Sequence, residues 1–207
     1  MSLATIILAA GASNRLGGQP KQLLTQDGTS LIQRIVQTAL SLKAGPVIVV
    51  LGANQSLIQP VIQHLPVQLV TNPNWQEGLA SSLHAGLTSL TDTSIESFLV
   101  LLTDQPFVTV DLLQKVINTQ QQTGKGIVAC RYGNPDHLGV PALFSISYRS
   151  TFMQLSGDVG ARKLIQQHAD DCAEVAFDLG TIDLDTWADV EKWQGGPGAG
   201  VSIDWKA

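Results

Sequence analysis

The segment LAAGASNRLGGQPKQLL, residues 8–24, sets Arg15 and Lys21 just beyond a run of small residues: Ala9, Ala10, Gly11, Ala12 and Ser13. Small side chains let a bulky ligand approach the main chain. Exposed amides with two cations close by suit an anion such as a phosphate. The spacing is not that of a P-loop. Gly11 and Gly17 stand one residue too far apart, and Lys21 is followed by Gln22 rather than Ser or Thr. Nor is it GxGxxG, because Ser13 takes the place of the second glycine. An ordinary strand-to-helix connection with solvated Arg15 and Lys21 fits the same composition.

A second chemical group stands at the end of the apolar run SFLVLLTDQP, residues 97–106, where Asp104 is the first acid. An aspartate there either caps the following turn or holds a divalent cation through its oxygens. Phosphates on the loop and a cation on Asp104 would together serve phosphoryl or nucleotidyl transfer. That requires the strands ending near residues 9 and 103 to be neighbours, since ligands of doubly wound sheets bind at the carboxyl ends of the strands.

The rest of the chain reads as scaffold for that arrangement. Apolar runs at 4–9, 46–52, 67–72, 97–106, 126–130, 140–145 and 173–177 predict strands. Helical spacing predicts helices at 30–42, with Ser30 as N-cap, and at 55–65, with Pro60 kinking or restarting it. Further helices are expected at 78–90, 109–122, 147–154 and 158–168, the last capped by Asp158. Continuous apolar strands alternating with helices predict a mainly parallel sheet covered on both faces. The section around 131–145 suggests an antiparallel edge.

Composition narrows the function. The chain has 207 residues, 44% of them hydrophobic, and a net charge of −5. That charge argues against nucleic-acid binding through a broad basic surface. No apolar run approaches the roughly 20 residues of a membrane span. Cys130 and Cys172 form neither a CxxC pair nor a zinc spacing with the four histidines. These features predict a cytoplasmic protein with no membrane partner. One domain over 1–193 and a flexible tail over 194–207, containing GGPGAG, are expected.

The first block resembles the LAAGxSxRxGxxKxLL signature of the nucleotidylyltransferase superfamily, and in particular the molybdenum cofactor cytidylyltransferases. NPNWQEGLASSLHAGL (72–87), LLTDQPFV (101–108), GVPALF (139–144), LSGDVGARKLI (155–165) and TIDLDTWAD (181–189) resemble the later blocks of that family, in order. The resemblance implies a Rossmann-like three-layer α/β sandwich of the nucleotide-diphospho-sugar transferase type. It implies transfer of CMP from CTP to molybdenum cofactor (molybdopterin), with loss of pyrophosphate and a client molybdenum-dependent oxidoreductase. Ala9, Ala10 and Gly11 would line the nucleotide pocket, with Gly78 and Ser82 at the base. Arg15 and Lys21 would neutralise the phosphates. Asp104 would coordinate Mg²⁺ or Mn²⁺, joined by Asp183 or Asp185. The LAAG form, with its Ala10 methyl, points to CTP over GTP. Val140 stands where close relatives often carry histidine, with His137 three residues earlier. That departure keeps a sugar or polyol phosphate open as acceptor. A carrier that delivers the finished cofactor without catalysis is the third reading.

Overall fold

The structure, a computed structural model, describes residues 2–13, 16–133, 137–182, 184 and 187–194. Its centre is β1 (Leu3–Ala9), buried along its whole length. Alternate residues serve opposite faces. Leu3, Ile7 and Ala9 enter one core cluster, and Ala4, Ile6 and Leu8 enter the other.

Six strands join β1 in one sheet: β4 (Val47–Leu51), β5 (Gln68–Thr71), β6 (Ser97–Leu102), β7 (Ile127–Arg131), β8 (Leu138–Ser145) and β9 (Cys172–Ala176), in the order β5-β4-β1-β6-β8-β7-β9. The short β2 (Thr25–Gln26) and β3 (Thr29–Ser30) form a separate hairpin that the sequence did not announce. β1 runs parallel to β4 and β6, with Leu8 opposite Leu102. The loop after Ala9 and the turn holding Asp104 therefore leave the sheet side by side. The antiparallel part lies towards one edge, where β8 runs against both β6 and β7, and β9 then pairs parallel with β7.

Helices cover both faces. α1 (Leu31–Ser41), α2 (Gln55–Ile62) and α4 (Val110–Thr123) pack on the Leu3/Ile7 face. α3 (Leu79–Thr88), α5 (Arg149–Phe152) and α6 (Ala161–Gln167) pack on the Ile6/Leu8 face. Ser30 caps α1 in a full capping box with Gln33. Pro60 stays inside α2 without ending it. It sits near the C-terminus on the exposed face, where the freed carbonyl of exposed Ser56 is open to water.

Two expectations are corrected. The helix expected over 147–154 is a single 3₁₀ turn followed by the four residues of α5. α6 starts at Ala161 with Gly160 as its N-cap, so Asp158 is no cap. Asp158 lies two residues before the cap, on an exposed turn, so its side chain is too early in the chain to serve the first amides of α6. α7 (Trp187–Gln194) was not foreseen. Its Trp193 is buried with Leu16, Leu24, Leu31 and Leu184 in a small third cluster, while Trp187 is exposed. Among the described residues no helix is long and apolar enough to cross a membrane. The expected tail beyond residue 194 lies outside the described residues.

Candidate functional site

The loop after β1 is folded back on itself by two side chains. Ser13 adopts a positive φ of 55°, and its Oγ accepts the Lys21 amide at 3.0 Å. Gln22 is 1% exposed, and its Nε2 donates to the carbonyls of Ala9 (3.2 Å) and Gly11 (3.1 Å). The Ala53 amide takes the intervening Ala10 carbonyl at 3.1 Å. These bonds tie the Ala9–Gly11 backbone to Gln22 and to the turn after β4. Leu16 and Leu24 anchor its outer part in the third cluster. Sequence reasoning used Gln22 only to reject a P-loop. The one available signal was an uncharged polar residue between Lys21 and the apolar Leu23–Leu24.

The fold brings Lys21 to Asp104. Lys21 Nζ donates to Asp104 Oδ2 at 2.6 Å, with side chains 17% and 16% exposed. A separation this short marks a strong charge-assisted bond. The other carboxylate oxygen, Oδ1, is buried and has no hydrogen-bond partner among the described residues. A hard carboxylate oxygen beside the Lys21 ammonium suits a divalent ion such as Mg²⁺ or Mn²⁺. Among the described residues no group of three or more His, Cys, Asp or Glu forms a ready-made cage. The Leu184 amide donates to the Asp104 carbonyl at 3.1 Å, which brings the chain at residue 184 to this turn. Asp183, Asp185 and Arg15 themselves lie outside the described residues.

The remaining sequence-derived positions lie at the start of α3 and across the loop. Ala10 is 5% exposed, with its methyl in the core cluster that includes Leu83. A side chain at Gly52 would strike both Ala10 and Trp75, which ties the loop to the approach to α3. Gly78 has φ 101°, and a Cβ there would lie 2.4 Å from the carbonyl carbon of Gly157. The Ala80 amide donates to the Gly157 carbonyl at 3.1 Å, locking the same contact. Ser82 is buried, and its Oγ accepts from Asn72 Nδ2 at 3.0 Å. Neither the Asn72 link nor the Gly78–Gly157 contact was legible from spacing.

Against the C-terminal half of β6, between it and α3 and α6, lies a cavity of about 270 Å³ whose lining includes Leu102, Gln105, Tyr132, His137, Val140 and Asp158. His137 and Asp158 are exposed. Cys130 is buried, and burial pushes its thiol up to about 12, so it supplies no thiolate nucleophile.

Residues 5–172 match the model of the MobA-like NTP transferase domain. The chain belongs to the MobA-like nucleotidyltransferase family. This MobA-like chain is 31% identical over 168 residues to nicotine blue oxidoreductase of Paenarthrobacter nicotinovorans, covering 78% of this chain and 80% of that one. It is 26% identical to the bifunctional protein GlmU of Francisella tularensis subsp. novicida over 67% of its own length, but spans 30% of that protein. The crystal structure of Rv0371c from Mycobacterium tuberculosis H37Rv superimposes with a TM-score of 0.81 at 28% identity, covering 93% of this chain and 96% of that one. Rv0371c in complex with manganese gives a TM-score of 0.77 at 26% identity, covering 93% and 97%. The seven-stranded sheet is thus the nucleotide-diphospho-sugar transferase type that the first sequence block implied.

Proposed function

We propose that this MobA-like protein is a metal-dependent cytidylyltransferase that transfers CMP from CTP to the terminal phosphate of molybdopterin already carrying molybdenum. An acceptor phosphate oxygen attacks the α-phosphorus, the bond to the β-phosphate oxygen breaks, and pyrophosphate leaves. The nucleophile is itself an oxyanion, so no side chain needs to form a covalent intermediate. The protein aligns the two phosphates and stabilises charge. Lys21, with Arg15, neutralises the triphosphate and the departing pyrophosphate. Ala9, Ala10 and Gly11 carry the nucleotide, with Gly78 and Ser82 at the base. Asp104, with Asp183 or Asp185, holds Mg²⁺ or Mn²⁺. When bound, that ion neutralises phosphate charge.

The carrying observation is the Lys21–Asp104 pair at 2.6 Å, with Asp104 Oδ1 lacking a hydrogen-bond partner among the described residues, at the rim where the small-residue loop leaves β1. The manganese complex of Rv0371c supports a divalent ion. The LAAG form of the loop supports CTP. A single domain over 1–193, a cytoplasmic location and a molybdenum-dependent oxidoreductase as client belong to the same reading.

The test is pyrophosphate release by the purified protein, with molybdenum cofactor and each of the four NTPs in turn. Release with CTP, dependent on the cofactor and on a divalent ion, is expected. Release with GTP alone would overturn the nucleotide assignment. Release with a polyol phosphate in place of the cofactor would overturn the acceptor. A second reading, redox chemistry, rests on the name of the 31% identical relative. It requires electron transfer to or from the substrate, with no pyrophosphate release.

A further inference from the structure

The lysine loop and the aspartate turn are braced from outside the sheet by one small group of side chains. Leu16 and Leu24 flank Lys21 in the loop and are 1% and 5% exposed. Both enter the third cluster, whose other buried members are Leu31, Leu184, Val190 and Trp193. Phe107, in the turn that follows Asp104, packs against this cluster and against the Leu3/Ile7 core. The Leu184 amide donates to the Asp104 carbonyl at 3.1 Å, and the Leu31 amide donates to the Leu24 carbonyl at 2.9 Å. The C-terminal segment thus supplies Leu184, Val190 and Trp193 to a cluster that supports both partners of the Lys21–Asp104 pair.

α7 has eight residues, too few for a helix to stand alone in water. Val190 and Trp193 are spaced i, i+3, so they share the face that docks. Trp193 is 5% exposed, and its Nε1 has no hydrogen-bond partner among the described residues, so the ring contributes by packing. Shape and place have different sources here. Gln22 and Ser13 bond the loop to itself. Those bonds do not set how far the loop stands from the Asp104 turn. The sheet sets Leu8 opposite Leu102, but Lys21 lies 12 residues beyond Ala9. Over that length of chain, the place of the ammonium is left to the packing of Leu16 and Leu24.

We propose that Trp193 and Val190 of α7 are positioning residues for the transfer reaction: through Leu16 and Leu24 they set the lysine loop against the turn that carries Asp104. This rests on the proposed transfer reaction for what the Lys21–Asp104 pair does. It adds that a helix outside the sheet, with no side chain at the reacting atoms, governs the rate.

The experiment measures pyrophosphate release by the full chain with CTP and molybdenum cofactor. Trp193→Ala lowers kcat about tenfold or more, because a misplacement of about 1 Å can cost about 100-fold in rate. KM for CTP changes by less than about threefold, since the loop keeps its own bonds. Trp193→Phe keeps an aromatic ring at the position and restores most of the lost kcat. Ile62→Ala truncates a buried side chain of α2 in the Leu3/Ile7 core, and it lowers stability without lowering kcat. Should Trp193→Ala fail to fold, Val190→Ala, a smaller truncation on the same face, carries the same expectation. A wild-type kcat in the α7 variant overturns the proposal. So does an equal loss of kcat in Ile62→Ala, which would make the effect one of general stability. If wild-type protein releases no pyrophosphate with any of the four NTPs, the transfer reading falls, and hydrogen exchange decides whether α7 places the loop. Faster exchange in Trp193→Ala over 16–24 and 104–107, with β1 and β4 unchanged, upholds the placement, and unchanged exchange over 16–24 overturns it.

Discussion

Lys21 and Asp104 are 83 positions apart in the chain, yet their side chains meet at 2.6 Å where β1 and β6 leave the sheet side by side. The contact exists because the two strands are parallel neighbours in register. The loop of one and the turn of the other share a rim. Asp104 keeps one oxygen for Lys21, and among the described residues the other has no hydrogen-bond partner.

Asp104→Asn preserves shape and removes the negative charge. Pyrophosphate release should fall at least about 100-fold, the scale of losing one transition-state electrostatic contact. Circular dichroism of the variant should match wild type. Undiminished release would take Asp104 out of the mechanism.

Gln22→Leu removes both donors to the Ala9 and Gly11 carbonyls at a buried position. Leaving those carbonyls unpaired should cost about 2 kcal/mol in urea denaturation. KM for the nucleotide should rise, because the loop loses its fixed shape. Wild-type stability together with wild-type KM would show that the loop holds itself without Gln22.

Gly78 and Gly157 offer a matched pair. Both have positive φ, 101° and 64°, but a Cβ at Gly78 collides with the Gly157 backbone whereas one at Gly157 meets nothing within 4 Å. Gly157→Ala should therefore cost only the backbone term, about 1–2 kcal/mol. Gly78→Ala should cost clearly more and pull the start of α3 off the loop over 155–160. Equal melting temperatures for the two variants would count against the contact.

The pair Tyr148–Asp171 predicts a pH signature. The Gly126 amide and then the Tyr148 hydroxyl hydrogen-bond the Asp171 carboxylate, and both lower its pKa from 3.8. Burial, and then the bond to Asp171, push the Tyr148 phenol up from 10.0 to about 12. A lowered acid stabilises the fold above its ordinary value, and that contribution is lost as pH falls through the folded value. A raised phenol stabilises below its ordinary value and loses that contribution as pH rises towards about 12. Tyr148→Phe should flatten the alkaline limb of stability against pH and shorten the acid one. An unchanged alkaline limb would sink this assignment.

The alternation of apolar runs and helical spacings was enough to name an α/β sheet. Residue type near strand ends singled out Arg15, Lys21 and Asp104 as candidates, with solvated cations and a turn-capping aspartate equally open. Both are local properties: burial follows side-chain chemistry, and periodicity follows backbone geometry. The resemblance of the first block to nucleotidylyltransferases added the family, which the match over residues 5–172 shows. Sheet order was not local. That β8 would lie between β6 and β7, and that α7 would close over Leu16 and Leu24, depends on contacts between residues far apart in sequence. For the same reason Gln22 and Gln105 read as ordinary polar residues in the chain. Only the tertiary structure sets Gln22 against the Ala9 and Gly11 carbonyls and Gln105 against the Val140 carbonyl and the Tyr132 hydroxyl, and burial is what gives such an amide fixed partners.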